Sequence, residues 1–421
     1  MAKAILEGIR VTEFGSGAAL PDMGRILGAF GADVIRVEGR EFLDPMRRLT
    51  AGKSVNENPG VNCSNRNKRG IVINLKTTKG QELAMELIKK SDIVGENLRI
   101  GIMESWGLDY ESVRQVKPDI IYYSTQGWGG GGPYSRYTSF GPHAPSAGGL
   151  LYMWNYLDVD HPGGVALNHP DHIAPKLGLI PLFAALDYRR RTGKGQHIDL
   201  AQVEAGAGLI GDAYLEYTFH KRHPLPLGNR NPCAAPHGIY KCKGTVQRAD
   251  SSPPEEDRWL AISVFSEEEW EAFCKAIGGP AWTKSPKFAT LLDRKENEDE
   301  LDRLVEEWTR TLDSWDAMNI LQQAGVAAGV VGWPDDYIFR DPHLKARGFI
   351  IELDHPAAGK TLHISEPIKL SETPALPSTA APMLDQHTDE VLHDILGIAD
   401  EEIKSLRGEG VIGIGPEGAA I

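Results

Sequence analysis

The feature that most constrains this chain is a repeated change of period through its first third. Short apolar, β-branched runs, IRVTEF (9–14), DVIRVE (33–38), GIVINL (70–75), DIVGEN (92–97) and DIIYYST (119–125), alternate with helical segments such as PDMGRILGAFG (21–31) and the stretch from Lys79 to Lys90. The runs have strand length and are almost continuously apolar, so they predict strands buried on both faces. Helical crossovers between such strands make βαβ units, and βαβ units build a parallel, doubly wound sheet. A chain of 421 residues exceeds one ordinary core, so a second domain is expected.

The later chain divides by composition. From Ile173 to Arg190 apolar residues are nearly continuous, which predicts a buried helix whose start is shaped by Pro175 and which is bent by Pro181. A glycine turn, a short strand and another helix follow. The passage PLPLGNRNPCAAPHG (224–238) has little periodicity and reads as a linker. We therefore expect a large α/β domain over 1–223, a linker over 224–237, a small α+β domain over 238–325 and a return to the large domain over 326–421. In the small domain GIYKCKG and RWLAISV read as strands around the polar insertion RADSSPPEEDR (248–258), with three helices after them. AGVVGW, FIIELDHP and KTLHISEPIKL read as strands of the returning segment, ahead of two terminal helices.

The formal net charge of −13 speaks against a nucleic-acid or anionic-membrane partner, either of which needs a basic face. No run approaches the roughly 18 apolar residues of a membrane span, and MAKAILEGIRVTEF lacks a signal-peptide layout, so a cytoplasmic protein is expected. Cys63, Cys233, Cys242 and Cys274 are scattered, without CxxC or zinc spacing, and read as reduced thiols.

Four local patterns bear on chemistry. Residues 13–38 resemble a dinucleotide fingerprint, but Leu20 stands where its third glycine belongs, and a βαβ turn with Pro21 at the first helical position explains the segment as well. GWGGGGPY (127–134) follows a strand, so Gly130 and Gly131 either present backbone amides to a ligand or form a flexible turn. NRNKRG (65–70) carries Lys68 and Arg69, either a solvated loop or a phosphate site. In NHPDH (168–172) Asp171 stands between His169 and His172 at a helix start; the spacing matches no metal signature. A helix N-terminus favours an aspartate as cap and holds it ionised, and an ionised carboxylate shielded from water is a usable nucleophile.

Together these residues resemble the class III CoA-transferases, the formyl-CoA transferase or carnitine-CoA-transferase family, over nearly the whole chain. The resemblance rests on GADVIRVE (31–38), NRNKRGIVINLKTTKG (65–80), DIVGENLRIG (92–101), 107–134, 171–205 and MLDQHTDEVLHDILG (383–397). An aspartate thirteen residues before Ala-Ala-Leu, followed by Arg-Thr-Gly-Lys-Gly-Gln, is specific in combination.

The resemblance implies a Rossmann-like large domain with a mostly parallel sheet, a smaller α+β domain and an interlocked dimer, either a homodimer or a heteromer with a related subunit. It implies coenzyme A as cosubstrate, no permanently bound cofactor and no metal. Asp171 falls on the catalytic aspartate, which forms an acyl anhydride and then an aspartyl-CoA thioester. CoA contacts carry over to Lys68, Arg69, Asn97 and Leu98. Ser105 and Gly39 replace two arginines of the formyl-CoA branch, leaving Arg40 or Arg99 to meet the phosphates. Phe140, Gly130, Gly131 and Trp128 fall on the substrate pocket, with Trp154 and Tyr156 as further aromatic candidates. The small domain resembles the benzylsuccinate branch, which implies a succinyl-CoA donor and an aromatic or dicarboxylic acceptor. Two alternatives remain open. One is an α-methylacyl-CoA racemase, whose histidine aligns with Phe140 while His143 lies three residues away; the other is a non-catalytic partner subunit, against which Asp171 itself argues.

Overall fold

The structure is a computed structural model that describes residues 4–39, 43–49, 54–156, 158–159, 168–247 and 255–414. The chain forms two compact units, one of Met1–Tyr152, Gly164–Pro224 and Lys345–Ile421, the other of Met153–Gly163 and Leu225–Leu344.

The large unit is built on a six-stranded sheet in the order β3-β2-β1-β4-β5-β6, every neighbouring pair parallel. Its strands are β1 (Arg10–Phe14), β2 (Asp33–Glu38), β3 (Lys68–Val72), β4 (Ile93–Glu96), β5 (Ile121–Gln126) and β6 (Gln196–Ala201). Successive side chains point to opposite faces, so Ile35 and Val37 enter one core while Val34 enters the other. Helix α1 (Ala19–Ala29) places Leu20, Met23 and Leu27 in the second core, beside Leu182 and Ala185 of the long helix His169–Thr192. On the first face lie α4 (Thr78–Lys89) and the terminal helices Thr388–Leu396 and Asp400–Gly408. Helix α4 shows the local logic. Thr77 caps it through a 3.0 Å bond from the Gly80 N–H, and Leu83, Ala84, Leu87 and Ile88 form one apolar stripe. Each such Leu or Ile contributes about 1.5–3 kcal/mol by leaving water.

Strand order reverses between β1 and β4, and a crevice opens beyond the carboxyl ends of strands at such a switch point. Two short helices, α2 (Pro45–Arg48) and α3 (Pro59–Ser64), sit in the β2–β3 connection beside it.

The long helix departs from expectation in two ways. It begins at His169 rather than Ile173, with Pro170 in its first turn where an N–H would be unsatisfied. It is also only half buried: Ala174, Gly178, Leu182 and Ala185 form one inward stripe, while Leu177, Ile180 and Phe183 face outward. Its apolar residues exceed what one inward stripe can hold. No described helix is long and apolar enough to cross a membrane.

The small unit holds an antiparallel sheet of β7 (His237–Gln247), β8 (Glu255–Ser263) and β9 (Ala327–Val330). Helices Glu267–Ala276, Glu298–Thr309 and Ser314–Gln323 complete its core around Phe273, Leu301 and Leu321. The unit runs past Gly325 to Leu344 because AAGV pairs with β8 instead of returning to the large sheet. Residues 248–254 of the polar insertion lie outside the described residues. In the returning segment, β10 (Ile350–His355) and β11 (Gly359–Ile364) form a hairpin; β11 stops before Pro367, which cannot donate to a ladder.

Candidate active site

The crevice between β1 and β4 holds a cavity of about 790 Å³. One wall is the loop after β1 with the first residue of α1, residues 16–19, and another is the segment after β4, residues 97–100. The two are tied together: the Ser16 N–H donates to Asn97 Oδ1 and Asn97 Nδ2 donates to the Ser16 carbonyl, both at 2.9 Å. Asn97 therefore stands on the wall expected of it, with its amide engaged by the neighbouring loop. Leu98 lies beside it, its N–H donating to Glu96 at 2.9 Å. Arg99 follows, its Nε donating to the Arg136 carbonyl at 3.2 Å. Burial pushes the Glu96 carboxyl up to about 7, against hydrogen bonds donated by Ser124, the Leu98 N–H and Gln126.

Asp171 enters from the first turn of the long helix and lines the same cavity with Asn168, His172, Phe140 and Gly141. Gly141 is required here by close approach. A Cβ at that position would collide with the Asn168 side-chain amide and fall 2.9 Å from Asp171 Oδ2. Among the described residues no hydrogen bond or ion pair reaches the Asp171 carboxylate, and burial pushes its carboxyl up to about 6. That corrects the expectation of a carboxylate held ionised by the helix end. Asn168 makes no side-chain cap and Pro170 has no N–H to offer, so desolvation outweighs the helix terminus. The group still ionises near neutral pH, as a poorly solvated and correspondingly reactive carboxylate.

Burial pushes the His172 imidazole below its ordinary range. Lys176 Nζ donates to the His172 carbonyl at 2.6 Å and to Asp22 at 2.7 Å, which joins the long helix to α1 behind the site. No group of His, Cys, Asp and Glu suited to a metal occurs among the described residues.

The structure thus brings Asp171, Asn97, Leu98, Arg99 and Phe140 to one cavity, and it takes other candidates elsewhere. Lys68 and Arg69 open β3 at the amino end of the sheet, away from the crevice. Lys68 is buried, donating to Glu13 at 2.6 Å, the Pro21 carbonyl at 2.8 Å and Asn65 at 3.0 Å, and burial pushes its ammonium down to about 8. Arg69 pairs with Asp33 at 2.6 Å and Glu390 at 3.2 Å. Gly130 and Gly131 line an adjoining cavity of about 350 Å³ with His197 and Asp199, and the Gly130 N–H donates to Asp199 at 2.8 Å. Trp128 packs edge-on against Tyr134, with ring centroids 5.4 Å apart, and does not line the Asp171 cavity. Trp154 and Tyr156 belong to the small unit, where Tyr156 accepts from Asn229 at 2.9 Å. Arg40 lies outside the described residues. Sequence reasoning read Cys63 as a reduced thiol but missed its place on the cavity wall, and it missed Gly141; neither placement carries a local signal, because both depend on residues distant in sequence.

A doubly wound sheet with a cavity at its switch point and one desolvated carboxylate on the wall defines an α/β enzyme site suited to carboxyl chemistry. The chain belongs to CoA-transferase family III, whose family model matches its residues 6–388. It is 30% identical over 407 residues to the succinyl-CoA–D-citramalate CoA-transferase of Chloroflexus aurantiacus, covering 97% of this chain and 98% of that protein. It is also 30% identical over 438 residues to the formyl-CoA:oxalate CoA-transferase of a Bradyrhizobium species, with 98% of each covered. The crystal structure of a CAIB/BAIF family protein from Brucella suis superposes with a TM-score of 0.82 at 28% identity, over 93% of this chain and 100% of that one. The protein is accordingly a class III CoA-transferase with coenzyme A as its cosubstrate.

Proposed function

We propose that this enzyme moves CoA from succinyl-CoA to a bulky aromatic or dicarboxylic acid, of the benzylsuccinate kind, through covalent intermediates on Asp171. The observation that carries the reading is the unpaired, desolvated Asp171 carboxylate on the wall of the large cavity. One carboxylate oxygen attacks the donor thioester carbonyl, the carbon–sulfur bond breaks, and CoA leaves as thiolate with an acyl-aspartyl anhydride in place. The thiolate attacks the aspartyl carbonyl and expels the donor as its free carboxylate, leaving an aspartyl-CoA thioester. The acceptor carboxylate attacks that thioester and releases the thiolate, forming a second anhydride. Thiolate attack on its acyl carbonyl yields acceptor acyl-CoA and restores Asp171.

Arg99 is the residue we assign to the CoA phosphates, since the charges of Lys68 and Arg69 are met by Glu13 and by Asp33 with Glu390. Leu98, Met46, Tyr137 and Phe140 on the wall support a large, partly aromatic acid. The relatives' names pair succinyl-CoA with D-citramalate and formyl-CoA with oxalate; the first supports the donor, and both acceptors support the dicarboxylic class. Racemisation needs a second base facing Asp171, whereas His143 Nδ1 accepts from the Phe140 N–H at 3.0 Å within its own turn.

Assembly as an interlocked dimer belongs to the same reading. It is supported by the outward apolar residues of the long helix and by helix Gly211–His220, which has no buried residue and exposes Leu215 and Phe219. Sedimentation at very low protein concentration should still show a dimer.

The deciding experiment is mass spectrometry of CoA products from a panel of acyl-CoA donors and free acids, with hydroxylamine present to convert acyl-aspartate to a hydroxamate. Label on the Asp171 peptide and its loss in Asp171→Asn are expected. Turnover without label, with the variant keeping more than about a tenth of the rate, a barrier change under roughly 1.4 kcal/mol, refutes covalent catalysis there.

A further inference from the structure

We propose that Arg36 and Asp44 are positioning residues for CoA, forming a buried ionic hub that holds three walls of the Asp171 cavity in place. The inference rests on reading that cavity as the CoA site. Arg36 of β2 is fully buried, and its Nη2 donates to Asp44 Oδ2 at 2.6 Å. Its Nη1 donates to Asn65 Oδ1, and its Nε lies 3.3 Å from the Glu38 carboxylate. Asp44, also buried, uses both oxygens: Oδ2 accepts the Gly17 N–H at 3.0 Å and Oδ1 the Met46 N–H at 2.8 Å. Asn65 follows α3 directly and donates through Nδ2 to the Val61 carbonyl at 2.9 Å.

None of these three side chains lines the cavity, yet the segments they hold all do: residues 16–19 through Gly17, residues 45–49 through Met46, and residues 60–64 through Asn65. The walls have some ties besides the hub, Ser16 to Asn97 and Arg47 of α2 to Glu38, but each is a short segment. One is a loop, and α2 and α3 have four and six residues, below the length at which a helix is stable alone. Apolar packing would leave short segments free to slide, whereas charge-assisted hydrogen bonds to single N–H groups are directional. A wall that must be ordered when ligand binds weakens affinity. The hub lies behind the walls rather than at the reacting carbonyl, so its loss weakens ground state and transition state together, which raises KM and spares kcat.

The test compares Asp44→Asn, which keeps the shape but loses one acceptor, with Leu83→Ala in the core under α4, a destabilised control remote from the cavity. Asp44→Asn should raise KM for acyl-CoA about tenfold with kcat within about threefold, while Leu83→Ala leaves KM unchanged. Asn65→Ser, which frees the third wall and also removes one acceptor of Lys68, should shift KM in the same direction by less, and it decides the matter if Asp44→Asn does not fold. CoA affinity measured by calorimetry in an Asp171→Asn background should fall in step with KM. Hub variants that melt as low as Leu83→Ala but keep CoA affinity within about twofold overturn the proposal, as does a fall in kcat without a rise in KM. Because calorimetry needs no turnover, a failed nucleophile assignment at Asp171 leaves this test standing; a wild-type chain that binds no CoA overturns both.

Discussion

Replacing Asp171 with asparagine should stabilise the protein at alkaline pH and do so much less in acid. Burial raises the carboxyl from its ordinary 3.8 to about 6, a shift of about 2 pH units. At 1.36 kcal/mol per unit, ionised Asp171 costs the folded state on the order of 3 kcal/mol. The sign follows from the direction of the shift. A raised carboxyl pKa means the folded state binds the proton more tightly, so the penalty is absent below about 4, grows between about 4 and 6, and is complete above that. Asparagine removes the charge at nearly constant volume, and burying its amide returns part of the gain, so the net effect at pH 8 should be roughly 1–3 kcal/mol. Urea unfolding at fixed protein concentration, at pH 4.5 and pH 8, measures it: the midpoint of the variant should exceed that of wild type at pH 8, with equal slopes. A difference of the same size at both pH values, or a less stable variant at pH 8, would show that the carboxylate is not desolvated as the structure has it.

The same carboxyl should control activity, so kcat/KM should fall on the acid side with an apparent pKa near 6 and stay level toward pH 8 unless another group intervenes; a limb near 4 would contradict the burial. Gly141→Ala should displace Asn168 and Asp171 and lower kcat by about tenfold or more, with circular dichroism unchanged; wild-type kcat would mean the two side chains yield without cost. Lys68→Ala should destabilise by about 3–5 kcal/mol in urea unfolding, because it leaves Glu13 charged and buried; a stable variant with only a raised KM would return Lys68 to CoA binding.

Much of the fold was legible in the chain alone. The runs that became β1, β2, β4 and β5 announce themselves by apolar, β-branched composition, and α4 by its cap and its 3.6-residue stripe, because strand and helix preference act within a few residues. The family was legible because several of its local motifs survive along the chain, and the place of Asp171 at a helix start was legible from its immediate neighbours. What the tertiary structure alone decided involves partners far apart in sequence. Lys68 sits in a basic cluster that the sequence leaves open between a solvated loop and a phosphate site, and its buried bond to Glu13, 55 residues away, comes only from the fold. The run containing Gly130 turns to Asp199, 69 residues on, and AAGV joins β8 rather than the large sheet. Asp171 shows the division most clearly. Its position at a helix start is local and was readable, whereas its pKa depends on burial, and desolvation is set by the packed volume around a group, not by its neighbours along the chain.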